Sequence, residues 1–438
     1  MEKPVEIPMQ SNSPVIPKNN PWAWVTSLYF IQGIPYGIVM FVAVVMYKNL
    51  GLSNSEMAFY TSWLYLPWVI KPIWSPLVDL LKSKKWWTVS MQFVVGVTLA
   101  GIAFSLSMPF WLQMSLAFFW LLAFASATHD IAADGFYLLS LRTDQQAFFV
   151  GIRSLAYRIS MLFSQGAIVW MGGYLEERFG VISTAWAYIL YGLGALMVLS
   201  AIYHRIVMPA VEEERTYKGF KEILLEFGYT FQAFFQKKQV VVAILFMLLY
   251  RLGEAQLVKI AAPFLLDDTA AGGLGMTTQQ VGIVYGTMGP IGLIIGGILG
   301  GIVISRNGLK FWMWYMVSAI NLPQIAYILL AYFQPESLFI ASAAIFVETF
   351  GYGFGFTAYM VFMMYFSDGK YKTAHYALCT GFMAMSMMIP GFFSGWLQES
   401  MGYTLFFCWV LLSGIPGFYI ISKLKLPADF GRKTDKKS

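Results

Sequence analysis

The feature that most constrains this chain is a series of apolar runs, each long enough to cross a lipid bilayer. A spanning helix needs about 20 predominantly apolar residues and satisfies its backbone hydrogen bonds internally. Only 12% of the 438 residues are charged, whereas soluble domains carry about 25%. This composition predicts an all-α membrane protein with many passes. Twelve transmembrane helices are predicted, at 22–47, 57–80, 86–107, 110–140, 146–174, 182–204, 239–265, 278–304, 311–333, 337–366, 373–397 and 403–423.

The distribution of lysine and arginine predicts how these helices are oriented. Basic residues concentrate in the segments that are cytoplasmic when both termini are cytoplasmic, and few lie in the opposite loops. The net charge of +6 therefore reports topology, and no nucleic-acid partner is expected. The predicted organisation is a cytoplasmic N-terminal tail (1–21), a six-helix half (22–205), a cytoplasmic linker with an amphipathic helix (206–238), a second six-helix half (239–424) and a basic cytoplasmic tail (425–438).

The two halves contain related sequence. GGYLEERFG at 172–180, near the end of the fifth span, is echoed by SGWLQESMG at 394–402, near the end of the eleventh. Two repeated six-helix halves are the layout of the major facilitator fold. In that fold the substrate cavity lies between the halves, lined most directly by the first, fourth, seventh and tenth spans. We therefore predict two six-helix pseudo-repeats around a central cavity, in a monomer.

Apart from Asp79 at the inner end of the second span, four acidic residues lie inside the predicted spans, where a charge is costly unless it is paired or faces water. Asp130 and Asp134 are in the fourth span, Glu254 is in the seventh and Glu348 is in the tenth. These are three of the four spans expected around the cavity. With His129, whose ordinary titration range is near neutral, they are the candidates for carrying a coupled proton.

Basic residues in the fifth span are candidate charge partners. The fourth and fifth spans turn near Asp144, and with a rise of about 1.5 Å per residue, equal distances from the turn mean equal depth. This predicts that Asp134 faces Arg153 and that Asp130 faces Arg158. One interpretation is two structural ion pairs. The other is that one acid exchanges its proton or its partner during transport.

The seventh span carries two bases, Arg251 and Lys259, beside Glu254. Arg251 and Glu254 are three residues apart and can pair on one helix face. A net positive charge here would attract an anionic substrate, and the alternative is mutual neutralisation with Glu348. Because Glu348 has no basic partner in its own hairpin, it is also a candidate proton carrier.

The remaining candidates are polar residues around the cavity and its ends. His129 points about 100° away from Asp130 around the helix, so a hydrogen bond to a neighbouring helix is the alternative to a coupling role. Asp79 and Arg306 are candidate gate residues at the inner ends of the second and eighth spans. The scattered histidines and cysteines predict no metal site, and no cofactor is expected. The substrate-cavity candidates are Tyr29, Gln32, Tyr36, His129, Gln256 and Tyr352.

Five short motifs in chain order resemble AmpG-type muropeptide permeases. They are GIPYG (33–37), PLVD (76–79), SATHDI (126–131) followed by Asp134, RLGEA (251–255) and HYA (375–377). The resemblance implies proton-driven uptake of anhydro-muropeptides across the bacterial inner membrane, with an important fourth-span aspartate at Asp130. Members of the wider transporter group carry acetyl-CoA or siderophores. This chain differs from the family pattern at His129 and His375, where glutamine is usual.

The residues and the resemblance together predict a proton-coupled symporter for a cell-wall sugar fragment, such as GlcNAc-anhydro-MurNAc or a muropeptide, working by alternating access. Its expected partners are this substrate, protons and the lipid bilayer. The first alternative is an importer of another oligosaccharide or of a siderophore. A membrane-embedded acyltransferase with a histidine base is disfavoured by the half-length repeat, and the protein is predicted not to be an enzyme. A sensor that binds without transport is the remaining alternative.

Overall fold

The computed structural model describes residues 20–210 and 220–432, which fold into long helices joined by short loops. Residues 1–19, 211–219 and 433–438, which include most of the predicted N-terminal tail and part of the linker, lie outside this description. The helical segments in the predicted spans are Pro21–Asn49, Asn54–Trp63 with Leu66–Leu81, Lys84–Ser105, Trp111–Ser140, Asp144–Phe179, Ile182–Val207, Val240–Leu266, Thr278–Asn307, Leu309–Phe333, Leu338–Ser367, and Lys372–Leu412 with Ile415–Lys423, which together contain the eleventh and twelfth.

Ten helices of the described chain are long and apolar enough to cross a membrane, whereas twelve were predicted. The difference has two local causes. Gly402, at φ 75° and ψ 169°, bends the chain inside the last candidate, Ala374–Lys423, which contains the predicted eleventh and twelfth spans. Only glycine readily adopts this backbone conformation. The predicted second span is divided into Asn54–Trp63 and Leu66–Leu81, and neither piece is long enough alone.

Helix packing repeats between the two halves. In the first half, the first span packs on the fifth, the second on the fourth, and the third on the fourth. In the second half, the seventh packs on the eleventh, the eighth on the tenth, and the ninth on the tenth. These pairs correspond one to one when six is added to each span number. Helices in lipid associate by close packing of their faces. The shared packing pattern therefore shows that the two halves have the same helix arrangement, as the sequence repeat predicts.

The linker helix, Phe220–Phe235, rests against the second half. Phe234 is fully buried and packs against Phe366, Phe382 and the ring of His375. The Nε2 atom of His375 also lies 3.2 Å from the carbonyl oxygen of Thr230. His375, one of the two departures from the family pattern, therefore helps to hold the linker against the eleventh span.

The halves meet along a polar seam at the membrane face opposite the two described chain ends, which we call the distal seam. On one side, Lys48 forms a 2.7 Å ion pair with Asp267. Asn54 donates to Gln398 at 2.6 Å and to the hydroxyl of Tyr403 at 2.8 Å, and that hydroxyl also donates to Asp267. Since these contacts join the first half to the second, the structure is closed at this face.

The repeated motif of the fifth and eleventh spans builds this seam. A Cβ atom at Gly395 would overlap the backbone of Asn54, and one at Gly173 would overlap the backbone of Gln279. Each glycine thus admits the first turn of a helix from the opposite half. The structure therefore explains why both copies of the repeated motif contain a glycine at this position.

The glutamates of the same motif complete the contact. Glu399 accepts a 2.8 Å hydrogen bond from the backbone N–H of Ser55, in the first turn of helix Asn54–Trp63. In the other copy, Glu177 accepts from the side chain of Gln279 at 3.3 Å. Carboxylates at helix N-termini satisfy free N–H groups and favour the helix dipole. Both copies of the motif therefore contact the opposite half, Glu399 through a backbone N–H group and Glu177 through a side-chain amide.

Candidate functional site

Aromatic side chains of the first half face the middle of the interface between the halves. Tyr36 of the first span stands edge-on to Trp68 of the second, with ring centroids 5.3 Å apart, and also contacts Tyr157 of the fifth. Tyr65 lies one turn before Trp68 and is buried. Residues three or four apart share a helix face. Tyr65 faces the second half, since the ammonium of Lys259 lies 5.1 Å from its ring centre, and Trp68 follows on the same side of the second span.

Opposite this surface, the second half contributes the buried guanidinium of Arg251. The seventh span is interrupted at Arg251, so that Leu252–Leu266 begins as a separate helix in the middle of the membrane. Arg251 is only 4% exposed; it donates to the hydroxyl of Tyr352 at 2.9 Å. It also lies over the rings of Tyr352, Phe356 and Tyr359 at 5.1, 4.7 and 5.8 Å. Cation–π contacts of this kind stabilise a desolvated cation.

These two surfaces form one site, which we call the central cluster: Tyr36, Tyr65, Trp68, Arg251 and Tyr352. Tyr36 and Tyr65 of the first half are close enough to Arg251 and Tyr352 of the second for electrostatic interaction. Broken helices at the repeat interface are the usual place for transporter binding sites. Of the predicted cavity residues, Tyr36 and Tyr352 are brought together here.

Asp130 is paired, but not with the predicted partner. Its carboxylate accepts hydrogen bonds from Gln32 at 2.9 Å and from Trp68 at 3.1 Å, and lies 3.7 Å from the ammonium of Lys71. Arg158 is exposed on the fifth span. The predicted Asp130–Arg158 pair is therefore wrong, because equal depth in a hairpin does not fix which way two side chains point around their helices.

The predicted pair of Asp134 and Arg153 is confirmed, with an N–O distance of 2.9 Å. Tyr29 donates to the same carboxylate at 3.1 Å, and the guanidinium lies 4.4 Å from the centre of the Tyr29 ring. Tyr137 packs on the guanidinium at 5.0 Å. Asp134 and Arg153 therefore form an ion pair within the first half, and Tyr29 contacts both of them.

His129 lies in a buried hydrogen-bond chain that leads away from Asp130. Its Nε2 is 3.0 Å from the side-chain nitrogen of Gln92, whose oxygen is 2.9 Å from Nδ1 of His204. His204 continues through Nε2 to the hydroxyl of Ser27 at 2.9 Å. The chain ties the fourth, third, sixth and first spans together. The hydrogen bond to a neighbouring helix, which was the alternative to a coupling role, is present, with His129 accepting from Gln92, and the coupling role itself stays a prediction.

This chain yields a test of whether His129 is structural. Replacing His129 with leucine leaves the Gln92 amide without its acceptor, which should lower stability by about 1 kcal/mol. His129→Gln keeps an acceptor and should retain wild-type stability. Thermal unfolding of the purified variants in detergent measures the difference. If His129→Gln keeps stability but loses the pH response of uptake, His129 has a coupling role beyond structure.

The other acids of the second half lie behind the central cluster. Glu254 and Glu348 are 2% and 7% exposed, and their carboxyl groups are within hydrogen-bonding reach of each other. Glu348 therefore has a partner that the sequence did not suggest, and that partner is another acid. Arg251, three residues before Glu254, interacts electrostatically with it.

Lys259 is a buried cation on the same helix. Its ammonium donates to Thr61 at 2.9 Å and lies 5.1 Å from the ring centre of Tyr65, both in the second span. Within the described residues, no carboxylate forms a salt bridge with it. Since a buried charge without a counter-charge is costly, an anion bound at the centre of the interface would stabilise the ammonium form of Lys259.

Three further predicted site residues, Gln256, Asp79 and Arg306, do not belong to the central cluster. The prediction that Gln256 lines the cavity is wrong, because its amide bonds Ser413 at 3.1 Å and Trp409 at 2.9 Å within the second half. Asp79 lies in helix Leu66–Leu81, but its side chain is outside the described part of the chain. Arg306 is exposed in the last turn of the eighth span, and its gating role stays a prediction.

Sequence reasoning missed the contribution of the second span. Tyr65, Trp68 and Lys71 recur every three residues in a helix, which places them along one side. That spacing was the available signal. The major facilitator fold alone does not point to these residues, because its cavity is lined most directly by the first, fourth, seventh and tenth spans.

Among the described residues, no cluster of histidine, cysteine or acidic side chains is arranged to hold a metal ion.

Comparison with solved structures supports the same architecture. A nucleoside transporter, NupG, superposes with a TM-score of 0.69 at 16% identity, covering 92% of this chain and 98% of that one. A D-xylose-proton symporter superposes with a TM-score of 0.67 at 10% identity, covering 94% and 99%. At such low identity these matches establish the fold alone.

Sequence comparison identifies the family. The model of the Major Facilitator Superfamily matches residues 25–395. The anhydromuropeptide permease of Escherichia coli K12 is 24% identical over 84% of this chain and 72% of its own length. A Rickettsia conorii transporter named AmpG 4 is 26% identical over 91% of this chain and 94% of its own. The predicted resemblance to AmpG-type permeases is confirmed, and the chain belongs to the Major Facilitator Superfamily.

Proposed function

We propose that this protein is a proton-coupled symporter that imports an anionic cell-wall sugar fragment, GlcNAc-anhydro-MurNAc or a muropeptide, by alternating access. The observation that carries the proposal is the central cluster, in which aromatic rings surround a buried guanidinium between the two halves. Rings pack against the apolar faces of sugars, and a guanidinium binds carboxylates. The name of the Escherichia coli relative points to the same substrate class.

The charge balance of the interface favours an anion over a neutral sugar. Asp130 is balanced by Lys71 and Asp134 by Arg153. Lys259 is a buried amine outside these pairs, and its ammonium form has no carboxylate salt-bridge partner within the described residues. A carboxylate on the substrate supplies the missing counter-charge. A neutral oligosaccharide would not, which places the alternative of an uncharged glycan second.

The proposed setting is the bacterial cytoplasmic membrane, with both termini in the cytoplasm and a monomer as the working unit. The distal seam then lies on the periplasmic side, so the described structure has its entrance closed. Alternating access exchanges this closure for one at the opposite face. The predicted gate residues Asp79 and Arg306 belong to that opposite face.

Uptake into proteoliposomes tests the proposal. Purified protein should accumulate labelled GlcNAc-anhydro-MurNAc when the lumen is more alkaline than the medium, and an uncoupler should abolish the accumulation. Empty liposomes are the control. Accumulation that is unchanged by the uncoupler would contradict proton coupling. Binding without any uptake would favour a sensor, and uptake of a siderophore but not of the disaccharide would contradict the substrate.

A further inference from the structure

Glu254 and Glu348 face each other in the second half, on the seventh and tenth spans. Both side chains are buried, at 2% and 7% exposure, and their carboxyl groups are within hydrogen-bonding reach. Carboxylate oxygens are acceptors only, so a hydrogen bond between two carboxyl groups needs a proton on one of them. Two acids this close in a low-dielectric site cannot both be ionised.

Among the residues that the structure describes, one basic group acts on the two acids. Arg251 precedes Glu254 by three residues and interacts with it electrostatically. The other groups that the described chain brings against the acids are phenols: Tyr285 of the eighth span, Tyr327 of the ninth and Tyr352 of the tenth. Neutral phenols do not offset a second negative charge. One proton on the two carboxyls leaves a single negative charge opposite Arg251.

Glu254 is positioned to respond to events at the central cluster. It lies in the first turn of helix Leu252–Leu266, whose N-terminus favours an anion. Within the described residues, its Oε2 atom is buried and has no hydrogen-bond partner. Arg251, its counter-charge, is at the same time the cation that faces the interface between the halves. One guanidinium is therefore shared between an acid and the proposed substrate site.

We propose that Glu254 and Glu348 form a single proton-binding site, the carboxyl pair, which holds one shared proton without substrate and takes up a second when a substrate carboxylate binds Arg251. This inference rests on the proposed function and identifies its coupling group. The substrate anion withdraws part of the positive charge that balances Glu254. A proton from water then converts the remaining carboxylate into a carboxylic acid. By thermodynamic reciprocity, protonation of the carboxyl pair strengthens substrate binding.

Asp130 is less suited to this role. Three groups stabilise its ionised form, namely Gln32, Trp68 and Lys71. None of these three groups is the guanidinium that the substrate is proposed to bind, so substrate binding gives Asp130 no reason to take up a proton. The carboxyl pair has such a reason, because its negative charge is balanced by Arg251, the guanidinium that the substrate is proposed to bind.

Two transport assays test the carboxyl pair. Glu348→Gln and Glu254→Gln should each lose gradient-driven accumulation and retain exchange of labelled for unlabelled sugar in the absence of a gradient. Glu336→Gln, an exposed carboxylate in the loop before the tenth span, should behave as wild type in both assays. Concentrative uptake by Glu348→Gln at the wild-type level would overturn the inference.

Proton uptake provides a second readout. Adding GlcNAc-anhydro-MurNAc to the wild type in weak buffer with a pH dye should raise the pH, and the same addition to Glu348→Gln should not. Asp130→Asn should still take up the proton. If the substrate signal is lost in Asp130→Asn but kept in Glu348→Gln, the coupling group is Asp130 and the inference is overturned.

A substrate-free measurement separates failure of this inference from failure of the proposed function. The infrared C=O stretch of a protonated carboxyl group should be present in the wild type at neutral pH and absent from the Glu254→Gln, Glu348→Gln double variant. Its persistence in that variant would exclude the shared proton, whatever the substrate is. Its loss, together with no sugar uptake by the wild type, would retain the carboxyl pair and overturn the proposed substrate.

Discussion

Replacing Arg251 with glutamine should lower the uptake of an anionic substrate by about 10- to 100-fold, because a hydrogen bond to a charged group is worth about 1.5–3 kcal/mol. Arg251 is buried, donates to Tyr352 and is held between aromatic rings, so it is pre-organised to receive a carboxylate. The loss should be largest at low substrate concentration, where binding limits uptake. Initial uptake rates over a range of substrate concentrations measure it.

Two further variants make this prediction specific. Arg251→Lys keeps the charge beside Glu254 but loses the planar, two-pronged donor, so it should weaken binding and still allow proton-driven accumulation. Arg178→Gln removes an exposed arginine at the distal end of the fifth span and should leave uptake unchanged. If Arg251→Gln weakens a neutral sugar analogue as much as the anionic sugar, the guanidinium does not recognise the carboxylate.

The bilayer explains why the broad architecture could be predicted from the sequence. Spanning helices have a fixed minimum length and must be apolar, so their positions can be read along the chain, whereas the bend at Gly402 and the division of the second span were not predicted. The half-length repeat then indicated the arrangement of the halves. The Asp134–Arg153 pair followed from the same one-dimensional measure of depth, because the two residues lie in adjacent helices of one hairpin and also face each other.

The site required information that depth alone does not contain. Asp130 meets Lys71 from the second span, which is neither its sequence neighbour nor part of its hairpin. The pairing of Glu254 with Glu348 was not expected, since like charges repel and a search for partners looks for cations. Only the packed structure shows that one proton can make two acids compatible.

The repeated glycine motif is an intermediate case. Its recurrence in the fifth and eleventh spans was visible in the sequence, but the atoms that Gly173 and Gly395 admit belong to the opposite half. Contacts between halves also change during alternating access. A sequence repeat therefore marks that a position matters without stating in which state of the cycle it is used.

Gly395→Val should lower transport by about 10- to 100-fold by preventing closure of the distal seam. The added side chain would overlap the backbone of Asn54, and overpacking of this kind costs about 1–3 kcal/mol of the closed state. Gly173→Val should act in the same way through Gln279. Gly192→Val is the matched control, because a Cβ atom at this glycine has open space around it.

The position of the equilibrium can be measured by labelling a cysteine beneath the seam. Ser62 is fully buried and lies against Gly391 of the eleventh span, so Ser62→Cys, with Cys379 and Cys408 replaced by alanine, reports opening of the distal face. A membrane-impermeant maleimide added from that side should react faster when Gly395→Val is also present, and at the unchanged rate with Gly192→Val.

Because Gly395→Val is expected to impair only the closure of the distal seam, this variant should still bind substrate offered from the distal side. Wild-type transport with Ser62→Cys still protected would show that the glycine contact is dispensable, whereas loss of both transport and binding would indicate a folding defect.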